Sequence, residues 1–341
     1  MAIPYRTRRT LRGLAIAALW LLLIAIVVLL VWLLWLDRYV VYTRDGAKLD
    51  FSSSNQQLSG QVAQPPENDA TVSIYYNEGD NTLNISTELT QLAGYYIDSQ
   101  MLLTRMPEML DLVKKLPSQT PVMIDVKDIV GRFYYSTALG PVNSSIDQAS
   151  MNALIEYLVK SDLYVIARAP ALRDYYYGLD HVSDGLPMRG GYLWMDDDRC
   201  YWLNPKSEGT LTRLIQTAKE LREKGFNEVL FSDFRFPETD KIVFSGSKTD
   251  ALEAAASRLL ESCATERFAV SFLVDSATFP LPEGRARMYM EGVGASKLKT
   301  LAEESGLEDP TVKLAFVTDV NDTRFDAYSV LRPLTSAQFE E

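Results

Sequence analysis

The chain has 341 residues, 45 Asp and Glu against 34 Lys and Arg, and a formal charge of −11. So acidic a balance argues against a nucleic-acid partner, whose phosphates require a basic surface. The only histidine, His181, lies among turn formers, and no Gly-x-Ser-x-Gly is present; hydrolase triads are disfavoured and His-rich zinc sites excluded.

Leu14–Leu36 is 23 residues without a charge. At about 1.5 Å per residue it spans a hydrocarbon core of roughly 30 Å. Arg6, Arg8, Arg9 and Arg12 precede it with no acid, which predicts a cytoplasmic basic tail over 1–13, one transmembrane helix over 14–36, and everything beyond outside the cell. A cleaved signal peptide is the rival, but its apolar core is shorter and ends in small residues. Here "WLDRYVVYT" follows instead. The expected location is therefore the cell membrane, single-pass, with the bilayer as partner to residues 14–36. The remaining residues are four charges more negative than the whole chain, which suits solubility and a neutral or cationic ligand.

Residues 37–70 read as a juxtamembrane segment and linker. "YVVYTRDGAKLDF" (39–51) alternates around an Asp-Gly turn and predicts a strand or hairpin. "SSSNQQLSGQVAQPPENDA" is polar and proline-bearing, as flexible linkers are. The main folded domain is assigned to 71–341. Strands are expected over 70–77, 92–102, 121–128, 163–170, 227–237, 268–275, 286–294 and 312–322. Helices are expected over 106–116, 145–161, 207–225, 247–263 and 296–305, the fourth opened by the Ser247/Asp250 capping pair. Near-continuous apolar strands alternating with helices indicate parallel strands buried on both faces. A doubly wound sheet fits too, but no Gly-x-Gly-x-x-Gly follows the first strand. The fold class is α/β, a (β/α)₈ TIM-type barrel irregular in its C-terminal third. Cys200 and Cys263 should sit at opposite ends of it, too far apart to bridge.

In such a barrel the working face is the carboxyl end of the strands. Asp125, Lys127 and Asp128, then Arg168, Asp233 and Arg235, Asp275, and Glu291 all fall at strand ends. Tyr134, Tyr135, Tyr175–Tyr177, Tyr192, Trp194, Tyr201 and Trp202 crowd the loops between them. Aromatic faces beside acids and arginines offer a sugar ring both stacking and hydrogen bonds; packing beneath long loops is the plainer alternative for each ring alone. "MDDDR" (195–199) lacks EF-hand spacing, and "GVGASK" (292–297) reads as a strand-to-helix turn. Neither a metal nor a cofactor is implied.

"VMIDVKDIVGRFYYS" (122–136), "LYVIARAPALRDYY" (163–176), "YLWMDDDRCYWLNPKSEG" (192–209) and "KGFNEVLFSDFRFP" (224–237) together resemble the glycoside-hydrolase domains related to the α-amylase clan of barrels. The resemblance covers about residues 90–275. It implies a (β/α)₈ barrel acting on a polysaccharide or oligosaccharide, and it carries onto Asp125, Lys127, Arg168, Asp174, Trp202, Asn204, Pro205, Arg235 and Pro237. Two acids depart from the family pattern. Ser232 stands where the family strand carries Asp, with Asp233 one place later, and Leu273 replaces the next strand's acid, with Asp275 two places on. A one-residue offset on a strand turns a side chain to the opposite face. The catalytic candidates are thus Asp125, Asp233 and Asp275. Lys127, Arg168, Asp174, Trp194, Trp202, Asn204 and Arg235 are candidates for binding substrate. With both acids displaced, a non-catalytic glycan-binding or scaffolding pseudoenzyme of the cell envelope is the alternative reading.

Overall fold

The computed structural model describes residues 40–43, 46–49 and 88–339. The chain divides into two compact units, Met1–Asp80 and Asn81–Glu341. In the first, Val40–Thr43 pairs antiparallel with Gly46–Leu49, the expected hairpin. The proposed transmembrane segment, most of the linker and the strand expected at 70–77 lie outside the described residues. Among the described residues no helix is long and apolar enough to cross a membrane.

The second unit is a closed barrel of eight parallel strands. These are β1 (Ala93–Ile97), β2 (Pro121–Asp125), β3 (Tyr164–Pro170), β4 (Glu228–Ser232), β5 (Ala269–Leu273), β6 (Met288–Glu291), β7 (Leu314–Val317) and β8 (Ser329–Pro333). Each strand pairs with the next, and β8 closes on β1 through Val330–Ala93 to Pro333–Tyr96. The main helices are α1 (Ser99–Val113), α2 (Gln148–Lys160), α3 (Tyr175–Asp180), α4 (Glu208–Glu223), α5 (Lys248–Cys263) and α6 (Leu298–Ser305).

Two boundaries differ from expectation. The strand at 92–102 stops at Ile97, because the Asp98 carboxylate accepts from the Met101 N–H and caps α1. The closing strand is Ser329–Pro333, beyond the last strand expected from the sequence. Its Arg332 and Pro333 depart from the apolar run of a buried strand, yet it supplies the barrel's eighth edge.

Strand alternation sets what the barrel encloses. Met123, Ile166, Leu230, Ala315 and Leu331 fill the inner middle layer. Below them, at the amino ends, lies a buried polar plug. Glu228 and Arg287, both fully buried, form an ion pair, and the Tyr164 and Tyr289 hydroxyls donate to Glu228 at 2.8 and 2.9 Å. Arg287 also donates to the Thr90 and Val312 carbonyls. The pair is thus fully satisfied, as a buried charge must be. Outside the sheet, helix faces such as Leu154, Leu158, Leu214, Leu221, Leu259 and Leu260 form the main core. Cys200 and Cys263 are both buried and unbridged.

Candidate active site

The same alternation that places Met123 and Ile166 inside places Asp125 and Arg168 inside, two residues nearer the mouth. They face each other across β2 and β3 in direct register. Ser232 ends β4 with the same parity, and Glu291 ends β6 two residues after inward Tyr289. The mouth is therefore lined from four strands.

Arg168 is its hub. The guanidinium holds Glu291 through two contacts, Nη1–Oε1 at 2.8 Å and Nη2–Oε2 at 3.1 Å, the paired geometry that arginine favours with carboxylates. Its Nε lies 3.8 Å from Asp125 Oδ1. The other Asp125 oxygen accepts from the Ser99 N–H at 2.8 Å. Burial pushes the Asp125 carboxyl up to about 6, against the pull of Arg168 and the Ser99 hydrogen bond. Partial burial also raises Glu291, again opposed by Arg168, with Asp233 adding to the rise. A carboxyl that keeps its proton towards neutral pH is suited to general-acid work.

Asp233 reaches the same cavity by an unusual route. One position beyond inward Ser232, it would point outward by simple alternation. Its φ is +49°, a left-handed conformation that Asp tolerates better than most residues. The chain turns there, and Asp233 lines a cavity of about 280 Å³ with Asp125, Ser99, Tyr134, Arg168 and Ser232. Arg173 Nη1 stands 3.6 Å from its Oδ1. Simple alternation would carry an acid at this offset away from the pocket; the turn instead brings Asp233, one of the three catalytic candidates, to the cavity.

Asp275 is different. It is exposed and does not line the cavities at the mouth, so the structure separates it from Asp125 and Asp233. Leu273, which precedes it on β5, packs against the inner layer.

Lys127 also lines the cavity of Asp125 and Asp233, but several predicted binding residues are engaged with one another in its walls. Lys127 and Asp174 form an ion pair at 2.8 Å with side chains only 3% and 1% exposed. Lys127 also donates to the Pro170 carbonyl, and Asp174 caps α3 through the Tyr177 N–H. Gly131 must be glycine here, since its φ is +97° and a Cβ would sit 1.9 Å from Asp174 Oδ1. Trp202 is 2% exposed, flanked by the Arg173 and Arg235 guanidiniums at 5.5 and 5.2 Å from its ring. Its indole N–H donates to Asp196. Enclosed this way it cannot stack on a sugar. Trp194 is half-buried and packs on Trp202 at 6.3 Å between centroids. Asn204 shapes a turn, accepting from the Lys206 N–H. The "MDDDR" acids are engaged as well: Asp196 and Asp198 both pair with Arg173 at 2.6 Å. Among the described residues no group of acids, His and Cys could hold a metal ion.

Glu291 is a strand-ending acid in the sequence but is not among the candidates drawn from it. The signal was its parity with Tyr289. Ser99, Asp98 and Asp319 were missed because they lie in loops or at a helix cap, where alternation says nothing.

The sequence of residues 94–275 matches the family model described as "putative glycosyl hydrolase domain". No curated protein matches it. Several solved structures are similar to it in part. A hypothetical protein from Ruminiclostridium thermocellum is 20% identical over 52% of this chain and 96% of its own, with a TM-score of 0.45. The galactosidase domain of an alpha-galactosidase-sucrose kinase is 10% identical over 72% of this chain, with a TM-score of 0.50; only 38% of that structure is covered. An Aspergillus fumigatus protein in complex with galactosamine is 11% identical over 72% of this chain and 94% of its own, with a TM-score of 0.46. At 10% identity the likeness to the galactosidase domain is one of fold alone. The family match is of another kind: it runs from β1 to just past β5, takes in Asp125, Arg168 and Asp233, and spans more than half of the 341 residues, so the chain belongs to the putative glycosyl hydrolase domain family.

Proposed function

We propose that the protein is a glycoside hydrolase of the cell surface, anchored by residues 14–36, whose barrel faces outward and cleaves a polysaccharide at the mouth around Arg168. The observation that carries the reading is Asp125, a carboxyl at the carboxyl end of β2 that opens on a cavity and is pushed up to about 6 by burial. Asp233 shares that cavity beside Arg173. In the proposed reaction Asp125 gives its proton to the leaving glycosidic oxygen. Asp233, held by the arginine, takes a proton from the water that attacks the anomeric carbon. Proton donor and proton acceptor are thus separate carboxyls, the division of labour that glycoside hydrolysis uses.

A second reading has its own support. Ser232, not an acid, occupies the inward position at the end of β4, and the acid of the next strand is exposed Asp275. Binding without cleavage follows if Asp233 cannot stand in for them. The two readings separate in one experiment. The full chain in detergent micelles is incubated with α-glucan, β-glucan, galactan and chitin fragments, and both retention and reducing-end release are measured. Cleavage of any of them, lost in Asp125→Asn with retention kept, supports the hydrolase; retention with no release supports the binder. Neither retention nor release sinks the carbohydrate reading.

A further inference from the structure

Arg168 has a cavity on each side. Beyond the one shared by Asp125 and Asp233 lies a second, of about 440 Å³, lined by Tyr96, Asp98, Glu291, Asp319 and Val320 among others. Arg168 lines both. We infer that this second cavity is a sugar subsite, so that the ligand is an oligosaccharide lying across Arg168 with one ring on either side of it. The inference rests on the carbohydrate reading above and adds to it the length and charge of the ligand.

Three features carry it. First, Arg168 is fixed: Glu291 grips it from the second cavity and Asp125 flanks it from the first. A guanidinium immobilised in this way offers its donors at one defined place, between the two cavities, where a linkage between rings would pass. Second, the lining mixes acceptors with apolar surface. Asp98, Glu291 and Asp319 can accept from hydroxyls, while Tyr96, Val317 and Val320 present carbon to a ring face, the pairing that sugar pockets use. Val320 is 48% exposed in the absence of ligand. Third, among the described residues Arg168 is the only cationic side chain lining the second cavity, against three carboxylates, and it is already paired. An anionic ring placed there meets repulsion with no compensating charge, so the favoured chain is neutral or amino-bearing rather than a uronic-acid polymer. The turn Gly292–Val293–Gly294 that follows β6 completes the wall. Its role is to floor this cavity, beyond the strand-to-helix turn read from the sequence.

The test uses the full chain in micelles and three neutral series, glucose to maltotetraose, glucose to cellotetraose and N-acetylglucosamine to chitotetraose, with galacturonic acid to its tetramer as the anionic control. Binding is followed by calorimetric titration. In at least one neutral series the affinity should rise by about tenfold or more from one sugar to two, and the galacturonate series should show no such rise. Val320→Trp, at an exposed loop position, fills the second cavity. It should erase the rise while leaving the monosaccharide affinity within about twofold. Asp319→Ala, which removes an acceptor without adding bulk, should shrink the rise in the same direction. A rise that survives Val320→Trp, or an equal loss for one sugar and two, overturns the second subsite while leaving the carbohydrate reading intact. Absence of wild-type binding to every member of every series overturns both.

Discussion

Replacing Asp125 by Asn should make the protein more stable at neutral pH. The side chain is 16% exposed, and its carboxyl is pushed by burial up to about 6. A carboxyl whose pKa is higher folded than unfolded binds protons more tightly in the folded state. Stability therefore falls as pH rises from about 4 to about 6, and the penalty is complete by about pH 7. A rise of about two pH units corresponds to roughly 3 kcal/mol at most. Residual exposure and screening by water trim this to about 1–3 kcal/mol. Asn keeps an oxygen to accept from the Ser99 N–H and never ionises, and Arg168 keeps its two contacts with Glu291. Urea unfolding of the wild type and of Asp125→Asn, followed by circular dichroism at pH 4 and at pH 7.5, isolates the effect as a difference of differences. The variant should gain about 1–3 kcal/mol at pH 7.5 and almost nothing at pH 4. Equal stabilities at both pH values would refute the idea that Asp125 is held in a desolvated, function-directed position.

The polar plug at the other end of the barrel predicts the opposite sign. Arg287→Met leaves fully buried Glu228 without its cation and should cost about 3–5 kcal/mol, whereas adding Glu228→Leu to that variant should recover much of the loss; a single variant as stable as the wild type in thermal unfolding contradicts the burial of that pair. Topology is a separate expectation, resting on the four arginines before an uncharged span. Protease added to intact cells should remove the domain beyond residue 36, and protection until the membrane is broken would reverse the orientation.

Most of the barrel was legible in the sequence because its strands are buried on both faces and read as apolar runs, "PVMID" or "AVSFL". The closing strand "SVLRP" was not, since its partners β7 and β1 supply the burial that its own Arg332 and Pro333 do not advertise. At the site, parity served well. Asp125 and Arg168 face inward for the same reason that Met123 and Ile166 do. What parity could not anticipate is a backbone turn at one residue, and the φ of +49° at Asp233 is that turn. Nor could residue type reveal which side chains end up paired with one another. Trp202, Lys127 and Asp174 look like ligand groups in one dimension, but Trp202 is taken up by Asp196 and Arg173, Lys127 donates to the Pro170 carbonyl, and Lys127 and Asp174 pair with each other. Asp275 is exposed because it stands past the end of β5, where alternation no longer fixes direction.

In the proposed mechanism Asp125 delivers the proton that breaks a glycosidic bond. Its most direct test is the pH dependence of reducing-end release from whichever polysaccharide the full chain retains, measured for the wild type and for Asp125→Asn. The rate should fall as pH rises through about 6, as the acid loses its proton, and the variant should be slower by about 10²–10⁴-fold with that limb gone. Undiminished release by Asp125→Asn, or a rate that does not fall above about pH 6, would contradict the assignment.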